Sequence, residues 1–393
     1  MRFAPIDHRG HRAPFRLRGR VVRGAPLVIV AAVSLSLSSC SSNGTAGSVA
    51  PSPSTIVSRT TTIPDTLAPA SSAVATTSIA PPPVTGADGI APLTGLPSSG
   101  PLDRTRVLVA KIDNLPSAWP QAGLNQADIV FEENVEGWTR FAAVFHSTLP
   151  EVVGPIRSGR TQDIDLLTSL GSPALIWSGG NPGVTAAIKQ SALVSVAAVD
   201  VMDEAGFFRD TSRPAPSNLF ARVDAVVAYA GPPDDEVAPQ FAYRAAGSEL
   251  RSAPVDGVKL GMDGGMHAQW LWNPAASRYE RSTEAGPQVD TDGSVLSTDN
   301  VVVILTTYRQ SAVDARSPEA VTVGGGEVVV LSGGRAATGR WRRPTAQSGW
   351  ELTDNDGSVI GLAPGRTWVV LATPWQFAFI ESGVDPASVP WPT

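Results

Sequence analysis

The chain has 393 residues, 42% hydrophobic and 17% charged, with 30 basic against 36 acidic side chains. That is too apolar for a wholly disordered protein and enough to bury one large core or two ordinary ones. Residues 1–39 hold seven Arg and one acid, Asp7, so the remainder carries 23 basic and 35 acidic groups, a net of −12. An acidic mature chain excludes general nucleic-acid binding as an expectation, and likewise adhesion to anionic membrane surfaces through its own charge.

The Arg-rich start runs into an apolar stretch, Pro26 to Leu37, and then into Leu37-Ser38-Ser39-Cys40. A basic region, a short apolar region and small residues before a cleavage point make an export signal, and a largely apolar stretch of 12 residues is too short to span a bilayer of about 30 Å as a helix. The Leu-Ser-Ser-Cys ending resembles the bacterial lipobox, in which the Cys is diacylated on sulfur, with chains such as palmitate, and becomes the new N-terminus. Cys40 is the only cysteine of the chain and has no disulfide partner within it. Two acyl chains give firm anchoring where one does not. The expected location is extracytoplasmic, lipid-anchored to the cell membrane.

Residues 40–90 read as a tether. Of the 50 residues 41–90, 37 are Ser, Thr, Pro, Ala or Gly and only Arg59, Asp65 and Asp88 are charged. Such composition buries too little apolar area to offset chain entropy.

From residue 91 the pattern changes to short apolar runs punctuated by Gly, Pro and Asn. Strands are predicted over 106–112, 128–133, 139–145 and 173–178, and helices over 161–169, 182–190 and 221–230. The chain breaks at Gly231-Pro-Pro-Asp-Asp-Glu236, after which helical signals largely vanish. Strands then follow over 258–262, 268–272, 278–281, 301–308, 327–331, 339–342, 350–352 and 367–372. The predicted class is mixed (α+β or α/β), with an N-terminal α/β domain over 91–235, a β-rich C-terminal domain over 254–373 and a C-terminal tail over 374–393.

Four blocks, Pro92-Leu-Thr-Gly-Leu-Pro97, Val109-Ala-Lys-Ile-Asp-Asn114, Pro120 to Val130 and Gly154-Pro-Ile-Arg-Ser-Gly-Arg160, resemble the YerB-like lipoproteins, a bacterial family with a two-part domain of unknown function. The likeness continues through Asp299-Asn-Val-Val-Val303 and Pro364-Gly-Arg-Thr-Trp368, and departs at Gly137-Trp138, where a Gly pair is expected. It implies an envelope lipoprotein and brings no settled activity.

The chemistry therefore rests on the residues. Outside the leader only His146 and His267 remain, so no multi-histidine metal site is available. No nucleophile elbow is present, and none of Lys111, Lys189 and Lys259 is followed by Ser or Thr as in a phosphate loop. What remains is cationic. Arg157, Ser158 and Arg160 are predicted to sit with free backbone N–H groups at a helix start, where an anion is attracted, with Arg140 joining from the preceding strand. The structural alternative is that Arg157 and Arg160 pair with Asp163, Asp165 or the Glu132, Glu133 and Glu136 group. The turn Trp177-Ser-Gly-Gly-Asn-Pro-Gly183, with Asn181, offers backbone to a ligand or is merely tight. Trp270 and Trp272 share a strand face, as a sugar or peptide platform or as plain core.

The expected function is binding of an anionic envelope component, such as a cell-wall polymer or an envelope protein, with no cofactor. The alternative is an enzyme of envelope phosphodiesters or glycans. Its layout is similar to that of LytR-CpsA-Psr phosphotransferases, with Arg157 and Arg160 clamping a pyrophosphate and Asp128 or Asp163 helping to hold Mg²⁺. The anchor is directly testable: Cys40→Ser is expected to abolish palmitate labelling and move the protein out of the membrane fraction, and a variant that stays labelled and membrane-bound refutes it.

Overall fold

The computed structural model describes residues 89–98, 102 and 105–392, all within one unit spanning 77–393. The expected leader, Cys40 and the tether up to residue 88 lie outside the described residues. The first half contains β1 (Leu108–Asp113), β2 (Ile129–Val135), β3 (Trp138–Phe145), β4 (Val152–Val153), α1 (Gln162–Leu167), β5 (Ala174–Trp177), α2 (Pro182–Lys189), β6 (Val194–Ala197), α3 (Ala198–Val201), β7 (Phe207–Arg209), β8 (Leu219–Arg222) and α4 (Val223–Ala230). The second half contains β9 (Ala253–Met262), β10 (Met266–Asn273), β11 (Arg278–Thr283), β12 (Gly286–Pro287), β13 (Ser297–Thr298), β14 (Asn300–Leu305), β15 (Tyr308–Gln310), β16 (Pro318–Ala320), β17 (Gly324–Ser332), β18 (Arg335–Arg343), β19 (Glu351–Asp354), β20 (Thr367–Ala372) and β21 (Phe377–Glu381). No described helix is long and apolar enough to cross a membrane.

Strand dominates, and the second half is β-rich. The helices of the first half are eight residues or shorter, so the α/β layering expected over 91–235 is slight. Hydrogen bonding follows the order β12-β11-β10-β9-β18-β17-β14-β20-β2-β3-β1-β5-β6, with β13, β19 and β21 attached to β11, β18 and β9. β1, β5 and β6 run parallel to one another, as do β2, β20 and β14. The chain break near residue 236 is thus not a break in the sheet: Ile129 lies opposite Thr367 and Glu132 opposite Val370.

Alternation along the central strands explains why they read as nearly continuous apolar runs. Leu108, Ala110, Ile112, Val130 and Phe141 enter a core on one face with Trp270, Tyr279 and Trp368, while Val109, Phe131, Ala142 and Val144 enter another with Leu166, Leu167 and Trp177. Each fully buried aliphatic or aromatic side chain contributes about 1.5–3 kcal/mol. β14 feeds both cores, through Val301 and Val303 on one side and Val302 and Ile304 on the other.

One charge pair lies inside the first core. Glu132 accepts a hydrogen bond of 2.6 Å from Arg281 Nη2 and one of 3.0 Å from Trp368 Nε1. The rings of Phe141, Trp270 and Trp368 surround the guanidinium at 5.3–5.8 Å. Trp270 is fully buried there, and Trp272 packs on Tyr279 with ring centroids 5.0 Å apart, so these tryptophans are core and not a platform.

Three other expectations change. The strand predicted over 301–308 splits, because Thr306 Oγ1 donates to the Val321 carbonyl and Tyr308 leaves to pair with Ala320. The helix predicted over 221–230 starts at Val223, since Ala221 pairs with Val153 and Phe207. The expected tail supplies β21, which pairs with β9, and Trp391, which stacks on His267 at 5.1 Å under Lys259.

Arg281→Met strands Glu132 without its partner and is expected to lower stability by about 3–5 kcal/mol, whereas the double change Glu132→Leu with Arg281→Met recovers most of that loss. Urea unfolding of the full chain checks both.

Candidate functional site

Two of the neighbouring parallel strands diverge where the site forms. β1 pairs with β5 only from Leu108 to Ala110, opposite Ala174 to Ile176. Beyond that point the segment after β4 wedges in: Arg157 N donates to the Lys111 carbonyl at 2.8 Å, and Ser178 N donates to the Arg157 carbonyl at 2.9 Å. A crevice at the carboxyl ends of parallel strands is a common place for ligands in mixed sheets. Gly159 is needed for this wedge, because a Cβ there would lie 2.8 Å from the Trp177 ring.

Register supplies the charges. Arg140 on β3 lies opposite Asp113 on β1 and Glu133 on β2, and Lys111 is two residues before Asp113. Residues paired across strands, and residues two apart, share a face. Lys111, Asp113, Glu133 and Arg140 therefore project to one side, where the wedge places Arg157 and Arg160.

Arg157 Nε stands 3.3 Å from Asp113 Oδ2, at ion-pair distance but without hydrogen-bond alignment. Arg160 Nη2 pairs with Glu136 Oε2 at 2.9 Å, and its Nη1 donates to the Gly159 carbonyl at 2.8 Å. Arg140 differs from both. Its one hydrogen bond runs from Nη1 to the Ser158 carbonyl at 3.1 Å, and no carboxylate lies within ion-pair distance of it among the described residues. Burial, reinforced by the like charges of Arg160 and Arg157, pushes its pKa down to about 10. The buried Nε atoms of Arg157 and Arg160 are without hydrogen-bond partners.

Beneath the arginines lies a buried triad. Lys111 Nζ contacts Glu133 and, at 2.8 Å, Asp163. Burial pushes Glu133 up to about 7 against the attraction of Lys111, and the nearby Asp163 adds to the rise. Asp163 also accepts the Arg160 N–H at 2.7 Å. Two of the three backbone groups expected to be free for an anion are thus in use: Asp163 takes the Arg160 N–H and the Lys111 carbonyl that of Arg157.

The remaining predicted residues take simpler places. Ser158 Oγ faces Ser178 Oγ at 3.4 Å. Asn181 caps α2, its Oδ1 accepting the Val184 N–H at 2.9 Å. Asp128 accepts the His146 and Ser147 N–H groups at 2.7 and 2.8 Å and is pushed up to about 6 by burial. It immediately precedes β2, five residues before Glu133 and so roughly 16 Å along the extended chain from the arginines. Asp128 therefore stands well away from the arginines, and Asp163 is paired with Lys111. Lys111 and Asp113 went unread as site residues, although their period-2 spacing inside an apolar strand was the available signal.

Two family models match the chain: the N-terminal domain of the protein of unknown function DUF3048 over residues 93–234, and its C-terminal domain over 258–369. The chain belongs to the DUF3048 family. This DUF3048 chain is 26% identical over 310 residues to a Bacillus subtilis (strain 168) protein named "Putative lipoprotein YerB", a match covering 75% of the chain and 89% of that protein. The crystal structure of the YerB protein from Bacillus subtilis is similar in fold, with a TM-score of 0.64, 23% identity, and coverage of 74% of this chain and 99% of that one.

The Glu133 carboxyl holds its proton in the folded state up to about pH 7, whereas it loses it near the ordinary value of 4.5 when unfolded. Its contribution to stability is therefore full below about 4.5, falls as pH rises to about 7, and is flat above. Glu133→Gln is expected to remove this decline. Denaturation of both proteins across that range checks it, and a wild-type-minus-variant difference that does not change with pH contradicts it.

Proposed function

We propose that this DUF3048 chain is a lipid-anchored extracytoplasmic protein that binds an anionic group of an envelope component in the notch of Arg140, Arg157 and Arg160. The observation carrying this is Arg140, a buried guanidinium crowded by two like charges and without a carboxylate of its own. A phosphate or carboxylate entering there relieves the repulsion and accepts N–H groups in a poorly hydrated setting, where charge-assisted hydrogen bonds are strong. Asp113 and Glu136 hold the two flanking arginines in place, so the notch is organised before a ligand arrives. Ser158 orients Arg140 through its carbonyl, and its hydroxyl and that of Ser178 add neutral donors beside the charge.

The lipid anchor is supported by Leu37-Ser-Ser-Cys40 and by the lipoprotein name of the Bacillus relative, which matches over most of both chains. A Ser/Thr/Pro/Ala tether of about 50 residues has a root-mean-square reach on the order of 40 Å, enough to carry the notch from the bilayer toward a wall polymer or an envelope protein. The residues call for no cofactor in this role.

Titration calorimetry of the full chain in detergent with pyrophosphate tests the reading. Arg140→Gln is expected to weaken binding by about 10–100-fold, the worth of a hydrogen bond to a charged group, and Arg157→Gln by a similar factor. Wild-type protein that takes up no pyrophosphate, or variants that bind as well as wild type, overturn it.

A further inference from the structure

Next to the arginines stands an aromatic ring that the core does not use. Trp138 opens β3 and is 41% exposed, whereas every other residue of that strand is buried. It lies two residues before Arg140 and therefore projects to the same face, roughly 7 Å along the strand. Among the described residues its ring has no aromatic or cation–π partner, in contrast to Trp270, Trp341 and Trp368.

The hairpin holding Trp138 is braced. Its two turn residues, Glu136 and Gly137, both have positive φ, 29° and 78°, as a tight two-residue turn requires. The turn after β9 backs it: Asp263 N donates to Asn134 Oδ1 at 3.1 Å, and Gly264 approaches the Gly137 carbonyl so closely that any Cβ would collide with it. On the other side Glu136 is tied to Arg160. An exposed indole on a fixed hairpin, beside a cationic notch, meets the first requirement of a stacking surface, which is little freedom left to lose on binding.

We infer that the ligand of the notch is a sugar phosphate, its phosphate held by Arg140, Arg157 and Arg160 and its sugar ring laid on Trp138. This rests on the anion-binding reading above and adds the class of ligand. The C–H face of a pyranose is apolar and weakly positive, which suits the negative face of an indole. Hydroxyl groups at the ring edge find acceptors in the part-exposed Glu136 carboxylate and in the Ser158 and Ser178 hydroxyls. A nucleobase edge instead asks for paired amide donors and acceptors, and the loop amide Asn181 uses its oxygen on the Val184 N–H.

Calorimetry on the full chain in detergent, with inorganic phosphate, glucose 1-phosphate and uridine monophosphate as probes, separates the two readings. Wild type is expected to bind glucose 1-phosphate roughly five- to tenfold more tightly than inorganic phosphate, the worth of one aromatic contact. Trp138→Ala is expected to erase that gain while leaving phosphate affinity and the melting temperature unchanged, and Trp138→Phe to keep most of it. Phosphate binding with no gain from the sugar, or a gain that survives Trp138→Ala, overturns the sugar inference and leaves the arginine notch standing. An equal gain from uridine monophosphate overturns the sugar class. Failure of every probe overturns the notch itself.

Discussion

Two adjacent carboxylates buried in the middle of a sheet are the constraint around which this protein is arranged. Glu132 and Glu133 follow one another on β2 and are both buried, so alternation sends them to opposite faces. Neither face offers water to pay for the charge, and each carboxylate needs a cation delivered to its own side. Arg281 comes from the second half of the chain and meets Glu132 inside a box of aromatic rings; Lys111 comes from the next strand but one and meets Glu133. The first contact locks the two halves together. The second sets the floor of the notch.

Once β2 is held in this register, the place of the arginines follows. Glu133 lies opposite Arg140 and Arg140 opposite Asp113, and the wedge segment crosses where β1 and β5 part. Lys111, Arg140, Arg157 and Arg160 face Asp113, Glu133, Glu136 and Asp163. The count balances only while every carboxyl is ionised, and Glu133 is the one whose burial holds its proton up to about pH 7. Of the four cations, Arg140 is the one with no carboxylate at ion-pair distance among the described residues.

Several readings from pattern alone went astray for one shared reason. A strand pair such as Trp270 and Trp272 has the same spacing on a solvent face and in a core, and only the arrival of Trp368 and Tyr279 decides between them. A helix start looks open to anions until a neighbouring side chain such as Asp163 takes the donor. Asp128 looked close to Arg140 in sequence and stands far from it because the strand between is extended. The segment after residue 374 lacked the marks of a core element, yet β9 presented a free edge for it to pair with.

The sequence by itself determined the properties that follow from local composition. The Leu37-Ser-Ser-Cys40 motif, the Ser/Thr/Pro/Ala/Gly bias of 41–90, the positions of most strands, the β-rich second half and the arginine-bearing block at 154–160 were all legible, because an apolar run or a compositional bias acts over a few residues. The tertiary structure alone decided which charges meet. Arg281 is 149 residues from Glu132, and Lys111 is 52 from Asp163. Such partners are chosen by strand order and register, which depend on the packing of the whole sheet, and a one-residue slip would turn every one of these side chains to the opposite face.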